Sequence, residues 1–237
     1  MINFLSQLPF MYTLYLKIII HLNKMIMKPQ EYLFHGLFSA HSGDKLTLQT
    51  QLHWTLRVTA ALCFIGHGTW GLITKAGWLP FFASQGIEPG VAWGLQPLIG
   101  AFDILMAVIL LWKPNRTVLI WMFLWALWTA ILRPLAGNLE KVLIDGEWVV
   151  RLATDSMHVA KMQTWEFWER AGNWFPPFLL LLMGGGFAVT RKDLFSSYNE
   201  PEIKDSMIDT LFFLLKTCLA LLLIGHAGFG FAVEKKM

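Results

Sequence analysis

Five apolar runs, each about as long as a bilayer is thick, constrain this chain more than any other feature. A hydrocarbon core takes roughly twenty consecutive apolar residues in helical form. The runs cover residues 53–74, 91–112, 117–135, 173–190 and 208–233. The expected fold is an all-α membrane protein, a single bundle of five transmembrane helices in residues 53–233 with the lipid bilayer as its partner. Composition agrees: 55% of the 237 residues are hydrophobic and 15% charged, and the mean hydropathy is +0.50. A water-soluble domain of this size would struggle to cover so much apolar surface.

Tryptophan and Pro/Gly punctuation support the span ends. Trp54, Trp78, Trp93, Trp112 and Trp174 stand near them, where amphipathic rings prefer the headgroup region. Residues 113–116, Lys-Pro-Asn-Arg, read as a tight turn that makes the second and third spans antiparallel neighbours. Residues 1–52 read as an amino-terminal extension; its apolar stretch at 8–22 carries Lys17 and suits an interfacial helix. His41 to Asp44 reads as a loop. The net charge of +3 comes from scattered bases rather than a basic stripe, which excludes nucleic acid as a partner. Five spans put the termini on opposite faces, A and B. The base-rich 113–116 turn favours face A, and with it the amino terminus, as cytoplasmic.

The connection at 136–172, on face B, is long enough to carry its own structure. Val142-Leu143-Ile144 and Trp148-Val149-Val150 flank Asp145-Gly146, the signal of a tight β-hairpin. Trp165, Trp168 and the Glu166/Arg170 pair follow at helical spacing. A structured loop of this length is expected to act as a lid, with Trp165 and Trp168 closing on what lies below.

Polar and small residues recur at three-and-four spacing on every span. Ile65-Gly66-His67-Gly68-Thr69-Trp70-Gly71 is echoed by Ile224-Gly225-His226-Ala227-Gly228-Phe229-Gly230. At 1.5 Å per residue both histidines lie roughly 10 Å below face B. Gln96, Asp103, Arg133, Glu169 and Asn173 fall in the same half of the bilayer, with Asp103 near its centre. These residues are expected to line a polar funnel open to face B. His67 is the expected partner of Asp103, because a carboxylate at that depth must be paired or protonated.

Other readings of the same residues stand beside this one. The histidines suit an interhelical hydrogen bond, with the flanking glycines there for close helix approach. His67 and His226 also suit the two axial positions of a haem b iron. A third reading is a pocket in which the imidazoles bind or relay protons to a small molecule such as a quinone. Asp103 is either a proton carrier or substrate anchor, or a structural partner within the bundle. Arg133 either snorkels at its helix end or attracts an anionic group; Arg57 and Lys216 snorkel towards face A. Gly184-Gly185-Gly186 reads as a packing or bending site. The two cysteines, Cys63 and Cys218, are offset along their spans and are not expected to pair. No GxSxG, HExxH, Walker or dinucleotide-binding pattern is present, so no catalytic residue and no metal site is assigned.

Arg57 followed by glycines up to Lys75-Ala76-Gly77, and Gly100-Ala101-Phe102-Asp103 on the second span, resemble the first two helices of the DoxX/DoxD-like membrane proteins, over about residues 57–189. Aspartate stands where that family usually has glutamate. The 136–172 connection, the fifth span and His67 depart from its pattern. The resemblance implies a four-helix core, here with one added carboxy-terminal helix. It also implies a small membrane subunit beside a partner redox subunit, in some members with quinone. The resulting expectation is a DoxX-like membrane protein of loosely defined role, a redox accessory that binds quinone or another small lipophilic molecule. A haem b electron carrier and a non-catalytic scaffold or transporter are the alternatives.

Overall fold

The computed structural model describes residues 42–187 and 205–234, with side chains over 49–187 and 207–231. The expected interfacial helix at 8–22, the end of the expected fourth span at 188–190 and the amino terminus lie outside the described residues. Contacts divide the chain between Gln51 and Leu52; the helical bundle and its cavity belong to the second unit.

The described elements run α1 (Ser42–Ile73), a 3-10 turn (Ala76–Trp78), α2 (Leu79–Ala83), α3 (Pro89–Trp112), α4 (Arg116–Leu135), β1 (Leu139–Ile144), β2 (Glu147–Leu152), α5 (Ser156–Glu169), α6 (Ala171–Met183) and α7 (Asp205–Glu234). Among the described residues, four stretches are long and apolar enough to cross a membrane: Gln49–Ile73, Pro89–Trp112, Arg116–Leu135 and Met207–Phe231. Their outward rows, such as Leu98, Leu105, Leu124, Phe213 and Leu223, are large, apolar and exposed. That surface suits lipid rather than water. Ser42 to Asp44, expected in a loop, instead open α1.

The expected fourth span at 173–190 takes a different form. Here α6 has 13 residues, a rise of about 20 Å and too short to cross alone. The glycine triplet stops it rather than bending it: Gly184 caps the helix, and Gly185 and Gly186 turn to φ values of 88° and 80°, a backbone that suits glycine. At its other end α6 abuts α5 at Arg170, which caps both helices.

Two arginines pin helix ends. Arg57, expected to snorkel, is 6% exposed and donates from Nε to the Leu110 carbonyl and from Nη2 to that of Leu111, each at 2.7 Å. It thus satisfies carbonyls that the end of α3 leaves open. Likewise Arg116 donates to the Gly184 carbonyl at the end of α6. Between these helices lies the core, built on Leu56, Ala60 and Phe64 of α1, Met106 and Leu110 of α3, Leu119 and Met122 of α4, Phe175 and Leu179 to Leu181 of α6, and Leu211 of α7.

The glycines set the closest approaches. A Cβ on Gly71 would stand 2.8 Å from the Gly100 Cα, and one on Gly68 2.6 Å from the Gly100 oxygen. So α1 and α3 cross backbone to backbone. In the carboxy-terminal echo, Gly225 receives the backbone of Trp168 and Glu169, and Gly228 the Trp165 ring. That seats α5 on α7.

The hairpin forms as its sequence dictates. β1 and β2 pair antiparallel from Leu139 with Leu152 to Ile144 with Glu147. Asp145 and Gly146 both have positive φ, 51° and 86°, the requirement of a type I′ turn.

Candidate functional site

Residues 74–88 would be an ordinary connection if α1 simply ended. Thr74 breaks the helix with φ of 59°, and the Lys75 N–H donates to the Gln96 side-chain oxygen at 2.6 Å. This fold-back leads into the short α2, whose Leu79, Pro80 and Phe81 are buried. Beneath it lies a cavity of about 350 Å³.

Its walls come from five places. α1 gives Cys63, Phe64 and His67; the fold-back gives Trp78, Phe81, Phe82, Gln85 and Ile87. Leu95, Ile99 and Asp103 come from α3, and Trp125, Ala126, Trp128, Thr129, Leu132 and Arg133 from α4. Arg170 and Asn173, at the junction of α5 and α6, complete it. Most of this lining is apolar or aromatic, with a few polar groups set into it, the usual constitution of a small-molecule site.

The polar groups are linked. Nε2 of His67 lies 3.1 Å from Nδ2 of Asn173 and 3.3 Å from Nη1 of Arg170. A guanidinium only donates, so Nε2 is the acceptor and the ring hydrogen sits on Nδ1. Arg170 Nη2 and Arg133 Nη1 both donate to Glu166 Oε1, each at 2.9 Å. The Arg133 guanidinium also lies 3.9 Å over the Phe81 ring, which ties this network to the fold-back. Asp103 stands apart from it. It is 5% exposed, and the Trp125 side chain hydrogen-bonds to it. Its Oδ1 has no partner. The expected pairing of Asp103 with His67 is therefore not the one that forms: Arg170 and Asn173 occupy the imidazole.

Of the residues singled out from sequence, His67, Asp103, Arg133 and Asn173 line the cavity. Gln96 is fully buried but serves the fold-back, as described. Glu169 and His226 lie outside the cavity, on another face, where His226 Nδ1 and Glu169 Oε1 are 3.0 Å apart and the His226 side chain is 75% exposed. With His67 in the cavity and His226 on that exposed face, the two imidazoles do not face each other across a space for haem. Of Trp165 and Trp168, expected to close the pocket, the Trp165 ring packs on Gly228 and the Trp168 backbone meets Gly225; the covering rings are Trp78, Phe81 and Phe82. No cluster of three metal-ligating side chains occurs among the described residues, and both cysteines are free.

The fold-back was missed from sequence, although Leu79-Pro80-Phe81-Phe82 is too apolar for a solvated loop. Compared with known proteins, the chain matches no family model, no curated protein and no solved structure.

Proposed function

We propose that this is a DoxX-like membrane protein that binds a small lipophilic molecule, of quinone type or similar, in the cavity beneath α2. The observation that carries the reading is Asp103: a nearly buried carboxylate whose Oδ1 has no partner, set in the wall of an apolar cavity. An acceptor left unsatisfied in such a place is costly. A ligand hydroxyl or N–H would remove that cost. Opposite chemistry is available in the same cavity, since Arg133, Arg170 and Asn173 are donors and the Nε atoms of both arginines are buried without partners. A ligand head with one donor and one acceptor matches both. A quinol carries both groups and its quinone the acceptor alone, and Asp103 is placed to exchange one of the two protons that, with two electrons, separate the pair.

In this reading α5 and α6 together make the fourth of five crossings, broken at Arg170 so that its charged residues reach the cavity, as discontinuous helices do in other membrane sites. The amino terminus is cytoplasmic, and a partner redox subunit supplies or removes electrons. The protein itself positions the ligand and moves its proton. The test is solvent extraction of protein purified from membranes, followed by mass spectrometry. Wild type is expected to yield a stoichiometric polar-headed lipophile that Asp103→Ala loses while remaining folded. Equal yields from both, or none from wild type, would leave the cavity residues with a purely structural role.

A further inference from the structure

We infer that the cavity opens sideways into the bilayer, between α3 and α4, so that its ligand arrives dissolved in lipid and enters head first. This rests on the binding role proposed above. Depth carries the argument. Leu95 and Ile99 are six and ten residues into α3, and Trp128 and Leu132 are seven and three residues before the end of α4. At 1.5 Å per residue they lie about 5 to 15 Å below face B, within a hydrocarbon core about 30 Å thick.

Trp128 lines the cavity and is yet 42% exposed, so it stands at a mouth rather than in a sealed interior. An opening framed by such residues at that depth meets acyl chains, because water is absent there.

Two other directions are obstructed. Towards face B the cavity is covered by the fold-back, with Leu79 1% and Phe81 9% exposed, and Phe81 held under Arg133. Deeper between α3 and α4, Phe102 meets Trp121 edge-on at 5.4 Å, and Trp121 stacks on Trp125 at 5.9 Å. This aromatic stack closes the seam below the mouth, near the level of Asp103. A ligand passing Trp128 thus reaches Asp103 and the arginines with its head while its tail stays in lipid.

Cys63 lines the same cavity and reports on access. The experiment uses the full chain carrying Cys218→Ser in lipid nanodiscs, labelled with uncharged N-phenylmaleimide or with a sulfonated maleimide, each rate normalised to a free thiol. The charged reagent is expected to react about a hundredfold more slowly, the scale set by carrying a charge into hydrocarbon. Ile99→Trp, which fills the mouth, is expected to slow the uncharged reagent several-fold; Trp128→Ala, which widens it, is expected to speed it. Equal normalised rates would show a water-open cavity and overturn the inference. Failure of both reagents to label, or indifference to both substitutions, would overturn it as well. Asp103→Asn should leave labelling unchanged while weakening binding of a decyl-tailed benzoquinol, so entrance and anchor fail separately.

Discussion

Arg133 and Glu166 meet at 2.9 Å, and because Glu166 also holds Arg170, one carboxylate organises two guanidiniums at the polar end of the cavity. Removing it leaves two cations facing each other in a setting where Arg133 is 7% exposed. Glu166→Ala is expected to destabilise the protein by about 3 kcal/mol, the low end of the cost of breaking a buried ion pair. Unfolding in mixed detergent measures this. Glu166→Ala combined with Arg133→Met should recover part of the loss, since the uncompensated charge is then gone.

The His67 imidazole is held as the Nδ1–H tautomer by its two Nε2 donors. Nitrogen-15 spectra of histidine-labelled protein should therefore show one neutral histidine with a pyridine-type Nε2. Asn173→Leu and Arg170→Met together should release that preference. An Nε2–H signal assigned to His67 by its loss in His67→Gln would contradict the hydrogen-bond pattern.

Glycine substitutions separate the close crossings from the open positions. Gly100→Ala, which puts a methyl against the Gly68 backbone, and Gly225→Ala, against that of Glu169, should each cost about 1 to 3 kcal/mol as overpacking. Gly66→Ala and Gly94→Ala meet nothing within 4 Å, and helix propensity should make them stabilising by about 1 kcal/mol. Thermal unfolding of the four variants in one detergent gives the ranking.

Length and local chemistry made much of this fold legible in the sequence. The four long helices follow from hydropathy, and the Asp145-Gly146 hairpin from a turn whose demands are confined to two residues. Rise per residue is nearly constant, and His67, Asp103, Arg133 and Asn173 do line one cavity. Direction around the helix axis was not. His226 repeats His67 in sequence, but packing of α5 on Gly225 and Gly228 leaves its ring on a different face from the cavity. The same contact explains Trp165, whose ring packs against α7 at Gly228. The fold-back depends on a hydrogen bond between Lys75 and Gln96, 21 residues apart, which no local pattern announces.

Asp103 is the proposed anchor of a polar-headed lipophile. The most direct test of that role is equilibrium binding of a decyl-tailed benzoquinol to nanodisc-embedded wild type and to Asp103→Asn, a substitution that keeps shape and removes the carboxylate. A hydrogen bond to a charged group contributes about 1.5 to 3 kcal/mol, so the variant should bind about ten- to a hundredfold more weakly while matching wild type in thermal stability. Equal affinity in the two proteins would contradict the claim.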